Sequence, residues 1–254
     1  MKLKFLGTGT SQGVPVIGCQ CEVCTSSDSK DRRFRSSALI TTDVGKKILI
    51  DCGPDFRMQM IENKEEHIDA VLLTHEHNDH VIGLDDMRPL IFRTRKDIPI
   101  YCAKRVGDEI KSRFPYAFAE VKYPGAPSFE LHEIDKTFNL FDTEIIPVEI
   151  MHFHLSIFGF KFRNLAYITD ASEIPAEEMA KLMNLDYLIL NCIRKEGLHP
   201  AHFILPQVLE LFNTLKPKKM FLTHISHHLG IHKETEDELP ANVHLAFDSL
   251  ELEF

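Results

Sequence analysis

Apolar residues recur along this chain with two periods, and each period predicts a different element. Short runs rich in Val, Ile, Leu and Thr, closed by Gly, Asp or Pro, predict β-strands. These runs are Lys2–Leu6, Ser37–Thr42, Lys47–Asp51, Ala70–Thr74, Ile98–Cys102, Glu144–Met151, Ile157–Phe162, Leu165–Thr169, Tyr187–Leu190, Met220–Thr223 and His244–Phe254. Segments with apolar residues at i, i+3 and i+4 predict amphipathic helices over Phe56–Asn63, Val106–Arg113, Ala176–Met183 and Ile204–Leu215. Strands throughout, with helices between them, indicate an α/β fold of two face-to-face sheets with helices outside.

The pattern divides nowhere into separate units. The strongest break is Pro124-Gly125-Ala126-Pro127, but strand signals continue beyond it. We therefore predict a single domain over residues 1–254. No apolar run reaches the roughly 18 residues of a membrane span, and Met1–Thr10 has no apolar stretch of the secretory type. The expected location is cytoplasmic, with no membrane partner.

The charge and histidine content of the chain limit the kinds of partner it is expected to bind. The chain has 38 acidic and 29 basic residues, a formal net charge of -9. This balance argues against long nucleic acid as a partner, because binding it depends on phosphate neutralisation. A small anionic substrate stays open, since bound metal ions can reverse the local field. The 14 histidines, several of them clustered, point to metal.

The segment Ala70–His80 carries the most chemistry. A strand that looks buried runs directly into His75-Glu-His77-Asn-Asp79-His80. His75 and His77, two residues apart, project to one side of an extended segment. Asp79 and His80 turn toward a second position beside them. Imidazoles with a carboxylate form a good donor set for Zn²⁺, Mn²⁺ or Fe²⁺.

This motif resembles the HxHxDH signature of the metallo-β-lactamase-like superfamily, whose fold is a four-layer αββα sandwich. The resemblance covers essentially the whole chain and implies further ligands at His152, Asp170 and His224. It places His75, His77 and His152 on one metal and Asp79, His80 and His224 on the other, with Asp170 shared. Asp79 also belongs to the predicted catalytic set. His154 competes with His152, and the spacing to Phe158-Gly159-Phe160 favours His152.

Asp51 also ends a predicted strand, in Ile-Leu-Ile-Asp51-Cys-Gly. Similar proteins use this aspartate to orient a ligand imidazole, a common feature of metal sites. A turn-forming aspartate before glycine is an equal alternative.

The cysteines suggest a second type of metal site. Cys19, Cys21 and Cys24 lie within six residues, and one more ligand would complete a closed tetrahedral Zn²⁺ site. His227, three residues after His224, is the predicted fourth ligand. The alternative is three reduced cysteines without metal. The cysteine insert and the THxxH pair resemble the phosphodiesterases that act on phosphoribosyl cyclic phosphate in the carbon–phosphorus lyase pathway.

That resemblance also implies a role for His202, in His199-Pro-Ala-His202. In the similar phosphodiesterases a histidine here faces the phosphate and can protonate the leaving group. A capping or solvent-facing histidine is the alternative. Asp85 and Arg88 follow the segment His75–His80, termed the metal loop, and are candidate substrate residues. A surface salt bridge is an equal alternative for Arg88.

The leading hypothesis is a phosphodiesterase with two divalent ions, Mn²⁺ or Zn²⁺, and one structural Zn²⁺. It would cleave a small cyclic nucleotide- or ribosyl-phosphate ester by metal-activated hydroxide. The alternatives are tRNA 3′-end processing, hydrolysis of a carboxyl ester, thioester or lactone, and a binding module that keeps the fold without catalysis. A homodimer is expected only because similar proteins often form dimers.

Overall fold

The first half of the chain, with the last few residues, builds one sheet. The computed structural model describes residues 1–254. The strands of this sheet are β1 (Lys2–Gly7), β2 (Ser37–Thr41), β3 (Lys47–Ile50), β4 (Ala70–Leu72), β5 (Ile98–Cys102), β6 (Phe129–Glu133) and, from the C-terminus, β14 (Glu251–Glu253). Their order is β14-β1-β2-β3-β4-β5-β6. Because β3 and β4 are parallel, the residues that follow them emerge at the same edge.

The second half builds the other sheet. Its strands are β7 (Phe138–Leu140), β8 (Thr143–His152), β9 (Leu155–Phe162), β10 (Leu165–Ile168), β11 (Tyr187–Asn191), β12 (Lys219–Thr223) and β13 (Val243–Leu245), in the order β13-β12-β11-β10-β9-β8-β7. β10 to β13 are parallel. β8 and β10 are both antiparallel to β9, so β8 runs in the same direction as β10. The carboxyl ends of β8, β10 and β12 therefore share one edge.

Eight α-helices complete the fold. They are α1 (Phe56–Glu62), α2 (Asn78–Val81), α3 (Arg88–Thr94), α4 (Lys104–Arg113), α5 (Pro115–Phe118), α6 (Ala176–Met179), α7 (Leu205–Leu215) and α8 (His232–Glu238). A 3₁₀ segment, Ile82–Met87, connects α2 to α3. None of these helices combines the length and the apolar character that crossing a bilayer requires.

Strand alternation sorts the apolar side chains into three layers. Ile48 and Phe160 pack between the two sheets. Leu49, which points to the opposite face of β3, packs with Phe56 of α1 on the outer side of the first sheet. Val208 of α7 covers the outer side of the second sheet. Three apolar layers separate four layers of elements, and the predicted αββα sandwich is the observed fold.

Some predicted elements need correction. The single strand predicted over His244–Phe254 is wrong, because the chain turns after β13 and crosses to the first sheet to form β14. The helix predicted over Ala176–Met183 is α6 followed by a 3₁₀ turn, Ala180–Leu182. Six elements were not predicted: α2, α3, α5, α8, β6 and β7. β6 has only two apolar residues, Phe129 and Leu131, and only Phe129 is buried, so its alternation is too short to stand out.

Candidate metal centre

The predicted ligands emerge from strand ends of both sheets. The segment His75–His80 follows β4, and His152 ends β8. Asp170 comes two residues after β10, and His224 directly follows β12. Asp170 and His224 have positive φ angles of 60° and 53°. This left-handed backbone is rare for residues with a Cβ and is frequent at functional sites.

His75, His77 and His152 form the first ligand group. Nε2 of His75 lies 3.0 Å from Nδ1 of His77, and the ring of His152 is centred 5.4 Å and 5.1 Å from their rings. One nitrogen from each of the three lies within 4.8 Å of the others. His154 is exposed in the turn after β8 and has no place in this group. The geometry therefore brings His152, and not His154, to the cluster.

Asp79, His80, Asp170 and His224 form the second group. Nε2 of His80 lies 3.2 Å from Oδ2 of Asp79 and 3.3 Å from Oδ2 of Asp170. The same Asp170 oxygen lies 3.2 Å from Nδ1 of His224. An oxygen of Asp170 and one nitrogen each of His75 and His80 also lie within 4.8 Å of one another. Asp170 thus stands between the two groups, where a shared carboxylate would be needed.

Hydrogen bonds on the far side of two rings orient their free nitrogens. The buried Asp51 accepts a hydrogen bond from Nδ1 of His80 at 2.7 Å. Asp51 itself accepts bonds from the backbone and hydroxyl of Thr74, and its φ is 60°. Nδ1 of His152 donates to the carbonyl oxygen of Ala201 at 2.9 Å. In both rings the remaining nitrogen, Nε2, is left for another partner, and it can bind a metal ion once it carries no proton.

Metal ions fit this arrangement. Nε2 of His80 is buried and makes no well-aligned hydrogen bond, although oxygens of Asp79 and Asp170 lie 3.2 Å and 3.3 Å away. Such a state is uncommon for a buried polar atom. For nitrogens on one tetrahedral Zn²⁺, bond lengths near 2.05 Å give a separation of about 3.3 Å. The 3.0 Å between the His75 and His77 nitrogens is close to that value.

The charge around His80 also suits cations. Burial opposes charging, but Asp170, Asp51 and Asp79 together raise the pKa of His80 well above its usual value. Burial likewise opposes ionisation of Asp170, yet His224 and His80 hold its pKa well below the usual range. Three carboxylates around one imidazole leave an excess of negative charge in a buried place, which divalent cations would offset.

His202 lies at the edge of the same cluster. Its Nδ1 is 3.9 Å from Oδ1 of Asp170, is buried, and has no hydrogen-bond partner. Its ring is centred 4.8 Å from those of His152 and of His224. Burial, with His224 close by, lowers the pKa of His202 to about 2. His202 is close enough to form a possible metal-binding group with His152 and Asp170, so its geometry fits either a ligand or a residue that faces substrate.

Asp85 and Arg88, the other predicted substrate residues, contact each other. Arg88 donates to Oδ1 of Asp85 from Nε at 3.1 Å and from Nη2 at 2.5 Å. Tyr116 donates to the same oxygen at 2.6 Å. Both side chains of the ion pair are about one-third exposed. A substrate phosphate would have to compete with Asp85 for Arg88.

The cysteines converge as predicted from their spacing. Nδ1 of His227 lies 3.3 Å from Sγ of Cys19, 3.3 Å from Sγ of Cys21 and 3.4 Å from Sγ of Cys24. Typical Zn–S and Zn–N bond lengths put the sulfur–nitrogen edge of a tetrahedral site at about 3.5 Å. The four residues thus match the dimensions of a closed Zn²⁺ site, and they connect the N-terminal loop to the segment after β12.

Several supporting residues were not predicted. Hydroxyls of Thr10 and Ser36 lie 3.1 Å and 3.2 Å from the two nitrogens of His224. A Cβ on Gly53 would come within 2.1 Å of the Asp79 carbonyl oxygen, so only glycine allows the loop after β3 to approach the metal loop. The Gly after Asp51 and Cys52 was visible in the sequence, but no sequence signal singled out Thr10 or Ser36.

Comparisons with known proteins agree with the fold. Residues 46–225 match the family described as Beta-lactamase superfamily domain. The crystal structure of a diphosphatase from the PhnP family is 41% identical, with a TM-score of 0.92 over 100% of this chain and 97% of that chain. The short form of human tRNase Z has a TM-score of 0.73 over 100% of this chain and 99% of that chain. Its identity of 18% shows a common fold alone.

A curated relative is longer than this chain. An octanoyltransferase of Porphyromonas gingivalis is 42% identical over 253 residues, which are 99% of this chain and 51% of that protein. The chain therefore spans about half the length of this relative, and the name describes the whole longer protein.

Proposed function

The chain belongs to the β-lactamase superfamily, and from that premise we propose that it is a dinuclear-metal hydrolase that cleaves small phosphate esters. The observation that carries the proposal is the convergence of donor side chains from both sheets on one largely buried site, termed the cleft here. These side chains are His75, His77, Asp79, His80, His152, Asp170 and His224. Imidazoles and carboxylates are a donor set that suits Zn²⁺ and Mn²⁺.

In this proposal the two groups divide the metals. His75, His77 and His152 hold one ion, Asp79, His80 and His224 hold the other, and Asp170 serves both. When bound, such a metal pair lowers the pKa of water and offsets the charge that builds on phosphoryl oxygens. Cys19, Cys21, Cys24 and His227 are proposed to hold one structural Zn²⁺.

The chain's own residues supply orientation and a proton. Asp51 and the Ala201 carbonyl fix the rings of His80 and His152. His202 is proposed to face the phosphate group. Its pKa of about 2 in the free protein, lowered chiefly by burial, keeps the ring neutral. A phosphate anion bound beside it would favour protonation, and the protonated ring could then donate to the leaving oxygen.

A small phosphodiester is the proposed substrate, with a cyclic nucleotide or a ribosyl cyclic phosphate as the leading class. The support is the 41% identity, over nearly the whole of both chains, to a diphosphatase of the PhnP family. That name makes the anhydride bond of a diphosphate the second candidate. Both reactions place a phosphoryl group in the cleft and differ in the leaving group.

Other activities have less support. The likeness to tRNase Z is one of fold, and the net charge of -9 disfavours a long RNA. Octanoyl transfer is suggested only by the name of a relative about twice as long, and the groups that converge here are the proposed metal ligands. Hydrolysis of a carboxyl ester, thioester or lactone and a non-catalytic binding role are alternatives for the experiment to separate.

The test is an activity panel with Mn²⁺- or Zn²⁺-loaded protein. It contains a ribosyl cyclic phosphate, a cyclic nucleotide, bis(p-nitrophenyl) phosphate, a nucleoside diphosphate sugar, a precursor tRNA, a lactone and a thioester. We expect turnover of a phosphodiester or diphosphate that stops on chelation. Turnover of only the lactone or thioester would contradict the phosphate proposal, and metal binding without any turnover would favour the binding module.

A further inference from the structure

Helix α4 reaches the back of the metal loop with two arginines. Val106 and Ile110 anchor this helix in the outer core of the first sheet. Arg105 contacts Oε1 of Glu76 through Nη1. Eight residues later, Nη1 of Arg113 donates to Oδ1 of Asn78 at 2.8 Å. Glu76 and Asn78 occupy the two unspecified positions of the HxHxDH motif, between its proposed ligands.

The alternation of residues in the segment His75–His77 connects these contacts to the proposed ligands. Successive side chains of an extended segment point to opposite sides. His75 and His77 face the cleft, so Glu76 between them faces α4. Arg105 therefore holds the segment from behind, without entering the cleft.

Arg105 also contacts the second sheet. Its Nη2 donates to the carbonyl oxygen of Ser156 at 2.7 Å. Ser156 belongs to β9 and is paired with Met151, the residue before His152 in β8. A single guanidinium thus bridges the loop that carries His75 and His77 to the hairpin that carries His152.

We propose that Arg105 is a positioning residue that sets the placement of His75 and His77 relative to His152. The planar guanidinium suits this task, because it presents several donors in a fixed geometry and can bond a carboxylate and a carbonyl together. Oε2 of Glu76 is buried without a hydrogen-bond partner, so Arg105 is the one charged partner of this carboxylate. The inference rests on the proposed metal site.

The test compares Arg105→Ala with Lys104→Ala. Lys104 lies on the same helix and pairs with Asp108, away from the loop, which makes it a matched control. Affinity for Zn²⁺ and Mn²⁺ is measured by competition with a chelator. Loss of an orienting partner typically weakens metal affinity about 10- to 100-fold, and we expect a loss of that size for Arg105→Ala alone. The metal affinity of Arg105→Lys should lie between those of the parent and Arg105→Ala, because one ammonium cannot reproduce both bonds.

Two further measurements separate positioning from general stability. The visible spectrum of the Co²⁺-substituted protein reports ligand geometry and should change in Arg105→Ala. The melting temperature of the metal-free protein should stay close to that of the parent. Glu76→Gln should weaken metal binding in the same direction, and the double variant should lose less than the sum of the two.

The outcomes distinguish this inference from the proposed function. A parent protein that binds no divalent ion at the His/Asp site would overturn the proposed function and, with it, the inference. A parent that binds metal, with an Arg105→Ala variant of equal affinity and unchanged Co²⁺ spectrum, would overturn the inference alone. So would an equal drop in melting temperature with and without metal, since that indicates a purely structural role.

Discussion

At the scale of single residues, the hydrogen bond made by one nitrogen of a buried histidine decides whether the other nitrogen is placed to bind a metal. Asp51 accepts from Nδ1 of His80, and the Ala201 carbonyl accepts from Nδ1 of His152. Each bond fixes a tautomer and aims Nε2 at the cleft. Asp51 directly follows β3 and Ala201 lies in the segment before α7, so distant parts of the chain orient the two proposed ligands.

Asp170→Asn should lower turnover by more than about 100-fold. That is the upper range for losing a residue that only orients a metal ligand. The reason is that Asp170 is proposed to bind both ions, and an amide lacks the negative charge that two cations need. Turnover and metal content per chain are the measurements. Asp186→Asn, at a surface pair with Lys218, is the control. An active Asp170→Asn protein with full metal content would contradict the shared role.

His202→Ala should keep its metal content and slow one class of substrate. For a diester with a poor alkoxide leaving group we expect a loss of about 10²- to 10⁴-fold, the range for a general acid. A diester that releases p-nitrophenolate should lose far less, because that anion leaves without a proton. The exposed His154 offers a control substitution, His154→Ala. Loss of a catalytic metal would instead make His202 a ligand, and equal losses on both diesters would indicate phosphate binding.

At the scale of elements, the sequence predicted best those features whose residues are close together along the chain. The strands before the motifs are strongly apolar, and HxHxDH lies on one short loop, so its position at a strand end was predictable. The edge strand β6 and the short β7 carry too few buried residues to stand out. The Ala201 carbonyl and the Arg105 bridge depend on residues brought together from 49 and 51 positions away. No local pattern encodes such contacts.

The N-terminal loop is expected to depend on its proposed Zn²⁺ for a fixed structure. Residues 10 to 28 contain no strand or helix, apart from isolated bridges. Cys21→Ser should remove one Zn²⁺ per chain and lower the melting temperature, because a closed thiolate site contributes directly to folding. Turnover per folded molecule should fall much less than in Asp170→Asn. Ser27→Ala, at an exposed position on the same loop, is the control. Unchanged zinc content in Cys21→Ser would contradict the structural site.

At the scale of the whole molecule, the site joins the two sheets. The first sheet supplies His75 to His80, and the second supplies His152, Asp170 and His224. Ions bound between them would favour the folded chain over the unfolded chain by mass action. The metal-free protein is therefore the state in which the ionisation of other buried groups is easiest to measure.

Two of those groups, His232 and Asp248, respond to pH in opposite directions. Burial, with Arg33 and Lys30 nearby, lowers the pKa of His232 to about 4. Below the unfolded value of about 6.5, the unfolded chain takes up a proton that folded His232 refuses, so this group lowers stability as the pH falls. Burial raises the pKa of Asp248 to about 7. Between its unfolded value near 4 and that pH, the folded chain holds the extra proton, so Asp248 lowers stability as the pH rises.

The variant Asp248→Asn isolates one of these two effects. Asparagine carries no charge, and its side-chain oxygen can still accept the bond that the Phe34 backbone donates to Asp248 at 2.7 Å. The melting temperature of the metal-free variant minus that of the parent should therefore increase from pH 4 to pH 8. The shift from about 4 to about 7 is about 3 pKa units. At about 1.4 kcal/mol per unit it is worth about 4 kcal/mol, so the increase should approach about 10 °C for a chain of this size. His232→Gln should give a difference that increases in the other direction, toward low pH. Histidines of the metal cluster contribute equally to parent and variants, so they cancel in each difference. A difference for Asp248→Asn that stays flat over this range would mean that Asp248 ionises as readily in the folded chain as in the unfolded one.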